Sequence, residues 1–318
     1  MLRGNEREPL GVALTNAPSI DVLLVTFNHE AHIARALESV FCQDYSGKIR
    51  VIVADDASTD STLLRIKEQV ARQARVEFVF LDSTQNRGIT RNYQRAFAAC
   101  AADFVAVLDG DDYWASTKKL LKQIEFLEEH RACVACGCNY FIHEPRRHSY
   151  DLRVPDTSGY KFLTARSLIA DNTIGNFSTC VYRRAVLQQL PPAIFSLTSY
   201  DWIVNICVAM HGVIGFLCEP LSVYHIHEQG TWNRLSTREK LEGQLALIPQ
   251  YDEATSGRFS KEFARLAERL RAQQQFNRNR FRYKMRRVVR ALSPPAALWM
   301  LRRISSLTLF RRARAAFG

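Results

Sequence analysis

Long apolar runs are the first thing this chain does without. No window approaches the roughly 18 apolar residues of a membrane-spanning helix, and the longest uncharged run near the C-terminus, residues 291–301, is broken by two prolines. The first 18 residues mix charges with short apolar pieces and hold no sustained leader core. A soluble or peripheral protein is therefore expected. No G-x-G-x-x-G follows the first expected strand and no G-x-x-x-x-G-K-[ST] occurs anywhere, which removes most support for dinucleotide redox chemistry and for P-loop phosphate binding. The eight cysteines lack the spacing of a disulfide framework and lie mostly inside apolar runs. That pattern points to buried free thiols in a reducing compartment. Cys133, Cys136 and Cys138 form a C-x-x-C-x-C, but no second half at zinc-site spacing accompanies it. Internal repeats and low-complexity tracts are absent as well.

What is present starts with a lopsided charge. The net charge is +11, yet residues 257–318 carry 17 Lys and Arg against two Asp and Glu, leaving 26 basic and 30 acidic groups in the other 256 residues. A mildly acidic body with a strongly basic tail implies an anionic partner for the tail. At 318 residues and 47% apolar composition, the chain has room for one large α/β domain plus an appendage.

Strands and helices alternate along the first 130 residues. Apolar runs predict strands at 20–26, 50–54, 76–81 and 104–108, with amphipathic helices at 30–41, 62–74, 90–101 and 118–130. Such alternation at βαβ spacing implies a mostly parallel sheet. A further strand is expected at 132–142, a polar, Pro-punctuated loop at 144–158, a short strand at 180–182, a helix at 201–211 and two short strands at 213–217 and 221–225. Residues 1–17 read as a flexible tail.

The chemistry concentrates where the strand Phe104-Val105-Ala106-Val107-Leu108 breaks into Asp109-Gly110-Asp111-Asp112. Strand ends in open α/β sheets are where ligands bind. Three crowded carboxylates repel one another unless a cation joins them, and hard oxygen ligands suit Mg²⁺ or Mn²⁺. A second acidic loop, Asp55-Asp56-Ala57-Ser58-Thr59-Asp60, ends another strand. Parallel strands share their C-terminal edge, so both loops are expected to line one crevice.

These segments together resemble glycosyltransferase family 2, inverting enzymes of the GT-A fold that use nucleotide-diphosphate sugars. Val25-Thr26-Phe27-Asn28-His29 resembles the family's P-T-Y-N-x opening, Asp55-Asp56-Ala57-Ser58-Thr59-Asp60 its D-D-G-S-x-D, and Asn86-Arg87-Gly88 with Arg91-Asn92 its N-x-G…RN element. Leu108-Asp109-Gly110-Asp111-Asp112 is similar to its L-D-x-D-D, which holds the DxD motif, and Asp201 opens a helix where the family has an E-D or x-D pair. The resemblance covers residues 19–232. It implies a GT-A, Rossmann-like, mostly parallel sheet flanked by helices over 18–235, with a basic helical extension over 236–318.

The resemblance also implies roles. Asp201 would be the general base. Asp111 would be the main metal ligand, with Asp109 on ribose or metal, Asp112 a second ligand, and His227 approaching the diphosphate or metal. Asp55 would bond the nucleobase, with Thr26, Phe27, Asn28, Asp56 and Arg91 completing the nucleotide-sugar-binding set; a turn and helix cap is the alternative for Asp55 and Asp56. The cofactor would be Mg²⁺ or Mn²⁺ and the co-substrate a nucleotide sugar, UDP-linked by expectation. The acceptor would be a lipid-linked or cell-surface glycan of O-antigen, capsule or exopolysaccharide type, contacted by residues 172–179 and the loop after Glu144. Val25 replaces the family's proline, Phe27 its tyrosine and Tyr200 the acid before Asp201. Nothing matches the Q-x-x-R-W of processive synthases, since no Arg precedes Trp232; single addition is expected.

In the basic tail Phe259, Phe263, Leu266, Leu270, Phe276, Phe281, Met285 and Val289 interleave with Arg and Lys, as do the apolar residues of 298–303 and 309–312. Aromatic faces rimmed by arginine suit an anionic membrane surface, here the inner face of the plasma membrane; packing of the stripe on the body is the alternative. No nucleic-acid reader motif accompanies the charge. Other readings are a nucleotidyltransferase on a related α/β sheet and a non-catalytic nucleotide-sugar-binding protein. The first lacks a Gly- and Arg/Lys-rich loop after the first strand, and intact Asp109, Asp111 and Asp201 argue against the second.

Overall fold

The computed structural model describes residues 17–197, 201–227, 230 and 234–291, the last twelve as backbone. Strand and helix alternate first: β1 (Ile20–Thr26), α1 (Ile33–Phe41), β2 (Ile49–Asp55), α2 (Thr62–Ala71), β3 (Glu77–Phe80), α3 (Ile89–Ala98) and β4 (Phe104–Asp109). Then follow β5 (Tyr113–Trp114), α4 (Lys119–Glu129), β6 (Cys133–Glu144), β7 (Ser149–Leu152), β8 (Tyr160–Leu163), α5 (Ala165–Ala170), β9 (Val181–Arg183), α6 (Arg184–Leu187), α7 (Asp201–Val208), β10 (Val213–His225), α8 (Thr237–Ala254) and α9 (Ser260–Ala291).

One sheet runs in the order β3-β2-β1-β4-β9-β6-β10-β5, with β7 on β6 and β8 on β10. Strands β3, β2, β1 and β4 are parallel, so their C-terminal ends share an edge. Apart from the edge strand β3, whose ends are exposed, these strands are buried almost throughout, on both faces. Val22, Leu24, Val51, Val53, Ala106 and Leu108 meet Ile33, Leu37 and Val40 of α1 and Ile66 of α2 in one core. Residues 23, 52, 105 and 107 alternate to the opposite face and are equally buried. The one charge inside β1, Asp21, is answered by a bidentate Arg50 at 2.7 and 2.8 Å and by the N–H groups of Ala101 and Ala102. Burial would raise its carboxyl; these partners hold it below its ordinary value instead.

Beyond β4 the sheet is mixed, because β9 runs antiparallel between β4 and β6. Residues 144–158, expected as a loop, contain β7 paired with β6. The two short strands expected at 213–217 and 221–225 are one bent strand, β10. Its register on β6 slips on either side of Pro220, which has no N–H to give to the ladder. Cys133, Cys136 and Cys138 are buried within β6, where burial drives the Cys138 thiol up to about 12.

Contacts divide the chain into residues 1–264 and 265–318. Helix α8 thus counts with the first unit rather than with the extension. Phe259 and Phe263, the start of the expected membrane-facing stripe, are buried in that first unit. Phe263 lies 6.3 Å from the Tyr251 ring, and Arg166 pairs with Glu262 at 2.8 Å. The described part of the second unit is the rest of α9, on which Phe276 is 64% exposed. Residues 1–16, 198–200, 228–229, 231–233 and 292–318, with Tyr200, Trp232 and the apolar clusters of 298–303 and 309–312, lie outside the described residues. So do the side chains of Phe281, Met285 and Val289.

Candidate functional site

Register alone brings the acidic loops together. Thr26 pairs with Asp55 across β1 and β2, Val25 pairs with Asp109 across β1 and β4, and the Gly110 N–H continues the ladder to the Val25 carbonyl at 2.8 Å. Three strand ends therefore lie side by side on one edge, as the parallel arrangement requires.

The loops after β1 and β2 are stitched to each other. Asn28, in the left-handed region at φ 56°, accepts the Thr59 N–H at 2.8 Å and donates its own N–H to Ser58 Oγ at 2.9 Å. The His29 N–H bonds Thr62 Oγ1 at 2.8 Å, and Glu30 and Asp60 exchange bonds with the opposite loop. Ala57 also adopts positive φ, 61°, a conformation that suits glycine better. Asp55 is 1% exposed and accepts from the Ser58 N–H at 2.9 Å and from the Ser58 hydroxyl. Asp56 accepts the N–H groups of Arg87 and Gly88 at 2.8 and 2.9 Å. Both carboxylates are thus bonded within the loops.

The Asp109–Asp112 turn is built differently. It joins β4 to β5, which pairs antiparallel with β10, so both ends of the turn are anchored in the sheet. A Cβ on Gly110 would sit 2.6 Å from Thr26 Oγ1 and 2.8 Å from His29 Nδ1; glycine is required by that close approach. Asp112 Oδ2 accepts from Asn176 Nδ2 and Ser178 Oγ, each at 2.7 Å, and Oδ1 accepts the His225 N–H at 3.0 Å. This strut ties the acidic turn to the end of β10. The chain beyond β10 places His227 Nε2 2.8 Å from Asp111 Oδ2. From the other side His29 Nε2 lies 3.7 Å from the same oxygen, while its Nδ1 is 3.1 Å from Thr26 Oγ1.

The charges are poorly answered. Burial, with Asp111 and Asp112 close by, raises Asp109 well above the carboxylate range despite the Tyr93 hydroxyl that donates to it. Asp201 is near enough for its own charge to add to that rise. Asp201 is itself raised by burial, against the opposing pull of its helix N–H groups, Arg153 and Asn172. Burial raises Asp111 too, but its bond to His227 and the nearby His29 outweigh this and hold it below the ordinary value. His29 and His32 are pushed down by burial, and His225 to about 4, which favours neutral imidazoles with free lone pairs. His29, Asp111 and His227 offer ligand atoms within 4.8 Å of one another, the group among the described residues with metal-binding geometry.

The sequence-expected residues thus separate. Asp111 and His227 meet beside Asp109, and Asp201 is near enough for its charge to act on Asp109. Asp112, expected as a second metal ligand, is a buried strut whose oxygens are taken by three donors. Thr26, expected beside the base, is buried and holds His29. Phe27 is 42% exposed at the end of β1. Arg91 reaches Gln94 and Ser196 at 3.1 and 3.2 Å; the arginine at the end of β2 is Arg95, bonded to the Asp55 carbonyl at 2.6 Å. Residues 176–179, expected to touch the acceptor, are interior because Asn176 and Ser178 brace Asp112. Neither His29 nor His32 is expected in the site from sequence, and His225 only as a neighbour of His227. The His32 ring lies 4.7 Å from both His225 and His227. His29 fills the variable position of the β1 motif, where a histidine has no local signature.

The Glycosyl transferase family 2 model matches residues 21–190. An uncharacterized Mycobacterium tuberculosis protein is 30% identical over 223 residues, 69% of this chain and 62% of that protein; the chain thus spans less than two thirds of such relatives. A Bacillus subtilis protein named for teichuronic acid biosynthesis, TuaG, is 29% identical over 152 residues, 44% of this chain and 58% of its own. Among solved structures, a Pyrobaculum calidifontis mannosyltransferase in complex with GDP-Man and Mn²⁺ aligns at TM-score 0.59 and 17% identity, over 95% of this chain and 83% of that one. S. aureus TarS 1–349 with UDP-GlcNAc aligns at TM-score 0.54 and 21% identity, over 72% and 65%. The likeness to these two is one of fold.

Proposed function

This chain belongs to glycosyl transferase family 2, and from that premise we propose that it moves one sugar from a nucleotide-diphosphate sugar, UDP-linked, to a hydroxyl acceptor with inversion at the anomeric carbon. The observation that supports the reading is a convergence: His227 reaches Asp111 from a distant part of the chain, beside Asp109 at the C-terminal edge of β1 and β4, with Asp201 near enough to act on Asp109.

Asp201 takes the proton of the acceptor hydroxyl. Its raised carboxyl makes it a stronger base than an exposed aspartate, closer to the working pH. The acceptor oxygen bonds the anomeric carbon as the bond to the diphosphate oxygen breaks on the opposite face. The donor set, carboxylate and imidazole, fits a divalent cation: Asp111 with His227 would hold Mg²⁺ or Mn²⁺, which supplies charge neutralisation on the departing diphosphate. Asp109, bonded by Tyr93, faces the ribose side. Phe27 offers the exposed ring on which a base stacks. Asp55 reaches that base only by sharing oxygens with Ser58, so recognition rests first on Phe27, while Asn28, Asp56 and Thr26 shape the loops around it. The acceptor reading remains a lipid-linked or cell-surface glycan, in keeping with a relative named for teichuronic acid biosynthesis. The exposed Phe276 among arginines of the second unit suits an anionic membrane surface.

Transfer from UDP- and GDP-sugars, read with donor titration, tests this. Asp201→Asn is expected to keep donor affinity and to lower turnover by about 10²–10⁴-fold. The wild-type rate is expected to fall on acidification through a pKa above the ordinary carboxylate range, because a raised base is protonated earlier, and the variant to lack that limb. Retained turnover in Asp201→Asn would remove the base from the scheme.

A further inference from the structure

We propose that His29, Asp111 and His227 form a preformed three-ligand cation site, which takes a transition ion such as Mn²⁺ or Co²⁺ before any nucleotide arrives and prefers it to Mg²⁺. This deepens the reading above, in which Asp111, His227 and the donor's phosphates suffice.

The three ligands come from the loop after β1, the turn after β4 and the segment after β10. Two nitrogens approach one carboxylate oxygen at 2.8 and 3.7 Å, and all three ligand atoms lie within 4.8 Å of one another. An ion bound at about 2.0–2.2 Å to imidazole and carboxylate sets neighbouring ligand atoms about 3–3.4 Å apart. Closure thus needs a movement of up to about 1.4–1.8 Å at the widest pair. At 3.7 Å from Asp111, His29 Nε2 is beyond hydrogen-bond reach of the oxygen that His227 bonds at 2.8 Å.

The ligands are also held in place by groups that do not touch the ion. Thr26 Oγ1 engages the other ring nitrogen of His29, and Thr62 Oγ1 takes its backbone N–H. Gly110 closes the space beside its ring. On the far side, the Asp112 strut fixes the His225 N–H, and the Ile226 N–H bonds the His143 carbonyl at 2.9 Å, just before His227. Such outer partners orient ligating imidazoles. Two imidazoles and one carboxylate suit a transition ion with open positions for further oxygens. Mg²⁺ favours oxygen ligands and keeps its waters.

Calorimetric titration of the chelator-stripped full chain with MnCl₂, CoCl₂ and MgCl₂, without nucleotide, decides the matter. One Mn²⁺ or Co²⁺ per chain is expected, at least about tenfold tighter than Mg²⁺, with visible absorption from bound Co²⁺. His29→Ala should weaken Mn²⁺ at least about tenfold and Asp111→Asn at least as much, with thermal unfolding midpoints recorded to show folded variants. His29→Gln supplies a second variant at the same position, expected to lose the Co²⁺ spectrum. His32→Ala, whose ring lies beside His227 but outside the ligand set, should bind within about twofold of wild type. Ion binding only after UDP is added, equal affinity for Mg²⁺, or unchanged binding in folded His29→Ala overturns the proposal and leaves the transferase reading standing. Turnover indifferent to every ion would overturn the metal role in both.

Discussion

Two groups of acids share one edge of the sheet, and the protein answers them in opposite ways. Asp55 and Asp56 each receive donors from the loops that surround them, from Ser58 and from the Arg87 and Gly88 N–H groups. Asp109, Asp111 and Asp201 are only partly buried, but their surroundings leave negative charge in excess: Asp109 is raised by burial and by its acidic neighbours, and burial holds His29, beside Asp111, toward neutrality. The first group is an anchor for loop geometry. The second is charge kept waiting for a cation. Counting carboxylates in a motif does not tell these apart; counting the donors that reach them does.

Exchanging one member of each group breaks the comparison most sharply. Asp111→Asn should lower kcat/KM by about 10²–10³-fold with little change in unfolding midpoint, because relief of Asp109 offsets the weakened pairing with His227. A large loss of stability there would show that Asp111 is structural after all. Asp56→Ala should do the reverse. It removes two hydrogen bonds to a carboxylate and costs roughly 1.5–3 kcal/mol, read by denaturant unfolding, while leaving the chemistry of the folded fraction alone. Gly110→Ala lies between the groups, since its Cβ would press on Thr26 and His29. About 1–3 kcal/mol is expected from overpacking, together with weaker Mn²⁺ binding through the displaced His29. The smallest effect belongs to Ala57→Gly. Relief of the positive φ at 57 should stabilise the loop by about 0.5–1 kcal/mol and leave turnover within twofold; a destabilised variant would mean the loop is not strained there.

Much of the first half was legible because its information is local. The apolar runs that become β1, β2 and β4, and the stripe Ile33, Leu37, Val40 of α1, follow from periodicity alone. Parallel pairing then places Thr26, Asp55 and Asp109 together without further input. The second half resisted for a physical reason. Strands β7 and β8 are four residues each, β7 mostly exposed and β8 half-buried, and exist through pairing with β6 and β10 rather than through pattern. Residues 176–179 look like a polar surface segment and are interior because their donors satisfy Asp112. The start of the basic stripe reads as amphipathic and surface-seeking, yet Phe259 and Phe263 are buried in the body of the first unit.

Sequence alone determined the alternation of strands and helices, the shared edge of the parallel strands and the acids that crown it, since a parallel sheet leaves no choice about where its strand ends go. Tertiary structure alone decided which acids are struts and which are open charge, and it recruited His29 to the corner where Asp111 and His227 meet. That decision lies in contacts between residues 29, 111 and 227, whose separation along the chain hides their proximity until β1, β4 and β10 are laid into one sheet.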